Sequence, residues 1–131
     1  MSGKTLTIKP KALIEVPKLL HILSKEEAES AKRTGVYTPA SLVTEGFIHC
    51  SYEHQVCRVA NFLYKGQTGL VLLELDPTKL EAILVDEDLY GSGETFPHLY
   101  GALIWDAVVA KHNFPHLADG TFVLPFSLTN K

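Results

Sequence analysis

The chain is poor in cysteine, in long apolar runs and in excess positive charge, and each shortage removes a class of protein. Of its 131 residues only Cys50 and Cys57 carry thiols. With a helix expected between them, the pair predicts no disulfide framework and a reducing, cytoplasmic setting. The longest apolar stretches run about five residues, against the ~20 that a membrane-spanning helix requires. Pro10 and Pro17 interrupt the first segment, so it has no continuous apolar core and no secretory leader is expected. Lys and Arg number 12 against 15 Asp and Glu, a net charge of −3 that argues against a DNA-binding surface. Lys4, Lys9, Lys11 and Lys18 face only Glu15 in that first stretch and read as a solvated terminus. The patterns GxGxxG, P-loop, HExxH and CxxC are all missing, which takes away the main support for Rossmann, kinase and thioredoxin readings.

What is present is an ordinary globular composition, 46% apolar and 21% charged. Its length predicts one domain over 17–131, preceded by an extension over 1–16 with a candidate strand at 5–8. Residues 18–23 read as a buried strand. Ser24 with Glu27 forms a capping box, so a helix is expected to about Arg33, stopped by Gly35. A loop over 37–41 containing Pro39 leads to a strand at 47–49. Val56, Val59, Ala60 and Leu63 recur at helical spacing and predict a helix over 52–64. Strands are expected at 70–75, 83–85 and 105–110, with a further candidate at 121–124. The acidic, glycine-bearing stretch 86–95 reads as an exposed loop, and 96–101 as a stiff one. Helices early and strands late predict an α+β fold, its sheet mixed or largely antiparallel, with two main helices.

Chemistry-bearing residues concentrate in two places. The first is Glu45-Gly-Phe-Ile-His-Cys-Ser-Tyr-Glu-His-Gln55, where a strand runs into a helix. In an extended segment His49 and Ser51 face one side and Cys50 the other, which makes Cys50 a core residue and disfavours a Cys–His nucleophile pair. His49 and His54 lack a third ligand at a recognisable spacing, so no metal site is expected. The second is Phe96-Pro-His-Leu-Tyr-Gly101, which offers His98 and Tyr100 on a restrained backbone. Glu45 and Glu94 are the carboxylates nearest these knots in sequence. His21, inside an apolar strand, reads either as a hydrogen-bonded core residue or as a cleft residue whose two nitrogens find partners there. His112 and His116 read as solvated.

Leu20-His21-Ile22, Gly35-Val-Tyr37, Ser41 through Ser51 with Gln55, Leu70 through Asp76, and Phe96 through Gly101 together resemble the domain-of-unknown-function 952 family, over roughly 18–110. Some members are labelled glutathione S-transferase-related; this sequence, too short for that two-domain layout, lends the label no support. The resemblance implies an ADP-ribosyltransferase-like fold, a split and strongly bent sheet around a cleft. Members of that superfamily that act on NAD place a histidine or arginine on the first core strand, a polar residue on a middle strand and often a glutamate late in the chain. His21 matches the first position and His49 or Ser51 the second; His98 or Tyr100 stands where the third would be. The resemblance thus implies His21, His49, Ser51 and His98 as catalytic residues, and Tyr37, Gln55, Phe96 and Tyr100 as ligand contacts. It further implies NAD or a related nucleotide as ligand, with cleavage or transfer of ADP-ribose, or a phosphotransferase variant, as the chemistry. It leaves RNA or a protein open as acceptor, and the sequence itself supports neither. The rival expectation is a non-catalytic module, binding a small metabolite or a protein, whose histidines serve packing.

Overall fold

The computed structural model describes residues 17–129; the extension 1–16 and its candidate strand at 5–8 lie outside the described residues. The chain enters at β1 (Leu19–Ser24) and turns directly into α1 (Lys25–Thr34). Ser24 Oγ accepts the Glu27 N–H at 3.0 Å, while the Glu27 carboxylate accepts the Ser24 N–H at 3.1 Å. Two N–H groups that the helix leaves unpaired are thereby satisfied at once. Gly35, left-handed at φ 87°, donates its N–H to the Ala31 carbonyl and ends the helix.

Next come β2 (Val36–Tyr37), α2 (Ala40–Thr44), β3 (Ile48–His49) and β4 (Ser51–Tyr52). They are followed by α3 (Glu53–Leu63), β5 (Leu70–Leu75), β6 (Ile83–Glu87) and β7 (Phe96–Tyr100). The chain closes with β8 (Leu103–Ile104), β9 (Val108–Asn113) and α4 (Phe126–Thr129). Among the described residues the strands form three sheets, in the orders β9-β5-β1-β4, β2-β8 and β3-β7-β6, and every pairing is antiparallel.

The four-stranded sheet is covered on both faces, which is why β1 and β5 read as nearly continuous apolar runs. On one face Leu19, Leu23, Val71, Leu73 and Leu75 pack against Ala28 and Ala31 of α1 and against Ile48, Leu99 and Leu103 of the two small sheets. On the other, Leu20 and Leu72 meet Val56 and Ala60 of α3, with Phe114, Phe122 and Leu128 from the end of the chain. Successive residues of β1 therefore belong to different cores.

Several boundaries depart from the sequence reading, each through a partner distant in sequence. Residues 96–101 are not a stiff loop: Phe96–Tyr100 form β7, the centre of the three-stranded sheet, and the Pro97 carbonyl accepts the Cys50 N–H at 3.0 Å. Because Asp86 and Glu87 pair with Pro97 and Phe96, β6 runs on to Glu87 and the exposed loop starts only at Asp88. Within 37–41, Tyr37 belongs to β2 and α2 begins after Pro39. Trp105–Ala107 is a 3-10 turn, so the last strand starts at Val108 and reaches Asn113. Residues 121–124 form no strand, since the Phe122 N–H is taken by Asn61 Oδ1 of α3 at 2.6 Å.

Gly101 closes β7 at φ 154°, and a Cβ there would lie 2.7 Å from Ala82 Cβ. Gly101→Ala should therefore cost about 1–3 kcal/mol of stability, read by urea denaturation. A variant as stable as the parent would refute the close approach.

Candidate functional site

The two dense stretches meet where the chain changes sheets. His49 ends β3 in the three-stranded sheet, and one residue later Ser51 begins β4 in the four-stranded sheet. That switch breaks the alternation expected along 49–51. The His49 ring stands 45% exposed, whereas Ser51 is buried opposite Leu20. Cys50, between them, is buried in the core, and burial pushes its thiol up to about 12; it is protonated and unreactive at neutral pH. Both cysteines are free.

His21 lies on the face of β1 that looks toward the two small sheets. Its Nδ1–H donates to the His49 carbonyl at 2.6 Å, and its Nε2 accepts the Tyr37 hydroxyl at 3.1 Å. A carbonyl only accepts, so the tautomer is fixed with the proton on Nδ1. Tyr37 is buried and its pKa is raised by desolvation, which keeps it a donor. Desolvation also lowers the His21 pKa to about 4, against the smaller opposing effect of the His49 carbonyl. Both ring nitrogens are engaged, and His21 reaches the neighbouring histidines through the backbone of His49.

His49 and His98 are directly paired across β3 and β7, so their rings share one face of that sheet, centroids 5.6 Å apart. His49 Nε2 meets both oxygens of Glu45 at 3.1 Å. His98 is only 2% exposed, and its Nδ1 donates to Glu87 Oε1 at 2.9 Å. The Tyr100 hydroxyl donates to the same oxygen. These two bonds, Tyr100 first, hold the Glu87 carboxyl below the usual carboxylate range, and the same bond raises the Tyr100 pKa. Phe47 stacks on His98 at 4.0 Å between centroids, with Tyr100 at 5.3 Å on its flank. The result is a face carrying an ionised glutamate, two imidazoles and a phenol, with His49 and Tyr100 open to solvent.

The structure thus brings His49, His98 and Tyr100 together and sets His21 and Tyr37 beneath them as a closed pair. Ser51 and Gln55 stand elsewhere. Buried Gln55 caps α3: its Oε1 accepts the Tyr52 N–H at 3.0 Å, and its Nε2 donates to Glu94 and to the Thr95 carbonyl. It borders a shallow depression of about 430 Å³ lined also by Pro17, Tyr52, His54, Asp86, Glu94 and Thr95. Phe96 faces Glu87 across β6 and β7. Glu94 pairs with Arg58 and accepts the Gln55 amide N–H, and its carboxylate bonds to none of the histidines. Glu87 itself was hidden by reading 86–95 as loop; extending the alternation Ile83, Val85, Glu87 would have placed it beside His98. Among the described residues no group of three His, Cys, Asp or Glu side chains is arranged to hold a metal ion, and no helix is long and apolar enough to cross a membrane.

Fold and site together define a small α+β domain of antiparallel sheets with a histidine–carboxylate face at a sheet junction. The chain belongs to the family described as "Protein of unknown function (DUF952)", whose model matches residues 22–111. It is similar to protein CC0527 of Caulobacter crescentus. The crystal structure of that protein is 34% identical, with a TM-score of 0.73 over 82% of this chain and 94% of the other. The solution NMR structure of CC0527 gives a TM-score of 0.65 at 31% identity, over 79% and 90% of the two chains. No curated protein matches the chain.

The His21 geometry makes stability depend on pH. Its folded pKa, about 4, lies below the ordinary 6.5. The unfolded chain therefore binds the extra proton first, and stability from this group is complete above pH 6.5 and lost as pH falls toward 4. The loss should approach about 3 kcal/mol. Denaturation at pH 7.5 and pH 4.5 should show wild type losing more stability than His21→Gln; parallel losses would refute the buried neutral imidazole.

Proposed function

We propose that this is an NAD- or related-nucleotide-binding domain with an ADP-ribosylation-like split sheet, its ligand lying on the β3-β7-β6 face. Glu87 would act on the bond between nicotinamide and ribose. What supports the reading above all is that carboxylate, kept ionised by Tyr100 and His98 beside exposed, flat side chains. Breaking a glycosidic bond builds positive charge on the ribose, and an anion already fixed in place stabilises it without reorganisation.

In this reading the C1′–N bond breaks and its electron pair leaves with nicotinamide. Water or a nucleophile of an RNA or protein acceptor then takes the ribose carbon. Tyr100 offers a ring for the nicotinamide to stack on. His49, steered by Glu45, reaches the ribose hydroxyls. His98 is a positioning residue that aims Glu87, and His21 anchors the strand that carries His49. Ser51, buried on β4, has no direct part.

A second reading, a non-catalytic module with structural histidines, is favoured by the full engagement of both His21 nitrogens. Calorimetric titration with NAD and ADP-ribose, together with a nicotinamide-release assay, separates the two. Wild type should bind and release nicotinamide. Glu87→Gln should bind within about threefold of wild type yet release nicotinamide on the order of 10²-fold more slowly. Neither binding nor release by wild type would leave the second reading standing.

A further inference from the structure

A second constellation lies on the other side of the four-stranded sheet, away from the Glu87 face. His112, on β9, is buried at 7% exposure and does not stand free in solvent as its loop-like sequence context suggests. It pairs with Leu72, and Ala110 with Glu74, so His112 and Glu74 are diagonal neighbours on one face of the sheet. His112 Nε2 meets Glu74 Oε1 at 3.1 Å, and its Nδ1 meets Ser127 Oγ at 2.8 Å. A carboxylate accepts, so the neutral ring carries its proton on Nε2 and Nδ1 is left to accept the Ser127 hydroxyl proton. Ser127 itself is exposed, on α4, beside the exposed ring of Phe126. Lys18 holds the arrangement from behind: its Nζ lies 3.6 Å from Glu74 and donates to the Leu128 carbonyl at 3.2 Å.

We propose that Ser127, His112 and Glu74 form a nucleophile, base and orienting carboxylate that accept the acyl group of an activated carboxylic ester. The distances satisfy the two requirements of such a relay, a hydroxyl within hydrogen-bond reach of the imidazole and a second group fixing that ring. Partition of roles follows burial: the base and the carboxylate are shielded while the hydroxyl is open to substrate. Ser127 Oγ bonds to the ester carbonyl carbon and its proton passes to His112 Nδ1. The C–O bond to the alcohol then breaks, and the leaving oxygen takes that proton. Water, deprotonated by the same nitrogen, attacks the acyl-serine, releasing the carboxylic acid and restoring the hydroxyl. An apolar acyl chain would lie over Phe126.

Incubating the full chain with a fluorophosphonate probe tests this, since attack on phosphorus with loss of fluoride leaves a stable adduct on an activated serine. Intact mass and peptide mapping should place one adduct on Ser127, absent in Ser127→Ala and in urea-unfolded wild type. Glu74→Gln and His112→Gln, checked for folding by near-UV circular dichroism, should label on the order of 10²-fold more slowly. Hydrolysis of p-nitrophenyl acetate should fall in step. No adduct on the folded wild type overturns the proposal. So does labelling of Ser127 at equal rate in folded Glu74→Gln, or a set of variants whose only change is a lower Tm; the three residues would then simply fasten α4 to the sheet.

Discussion

The His21 imidazole is the constraint on which the arrangement depends. It grows from β1, in the four-stranded sheet, and its two nitrogens reach one partner in each of the small sheets. It adds directional bonds from β1 to β2 and β3, where apolar contacts fix distance but not direction. A neutral imidazole is suited to this because it donates on one side and accepts on the other, and burial keeps it neutral. The bond from Nδ1 holds the carbonyl of His49, so the backbone that carries an exposed ring is tied to a buried one. Structural and functional readings of a histidine in an apolar strand are therefore not exclusive.

The face above it is built on similar logic. Glu87 has one carboxylate oxygen shared by an imidazole and a phenol, and Phe47 lies over His98 where the sheet would otherwise be open. Directionality comes from the polar contacts and the shape from the aromatic ring. The cluster on the far side combines Glu74, His112 and Ser127 from two strands and a terminal helix. In both places one protein group spends an imidazole nitrogen on a carboxylate, which holds the ring in one orientation and leaves its other edge to do something else.

What the sequence disclosed depended on how local the cause was. The Ser24 and Glu27 box, the Gly35 stop, the spacing of Val56 and Ala60 and the run 70–75 all act within a few residues, and the corresponding elements stand where they were expected. Cys50 was placed in the core by simple alternation. The failures all involve pairing across the chain. Glu87 becomes a strand residue only because Phe96 lies opposite, and His112 becomes buried only because β9 starts after a turn at 105–107 and so runs on far enough to meet Leu72. Ser51 was paired with His49 by a rule that assumes one continuous strand, and the chain instead crosses from one sheet to another between them.

That crossing at Cys50 bears on how the family can vary in length. A single residue joins two sheets there, with its N–H committed to Pro97 and its side chain to the core. One residue more or fewer would rotate either the imidazole before it or the serine after it to the opposite side, and would pull the carbonyl of position 49 away from its imidazole donor. The turn over 88–93 carries no such obligation, since its side chains bond within the turn itself, while Glu94 and Thr95 just after it hold Gln55. Drift by insertion and deletion should accumulate in that turn and be rejected at the joint.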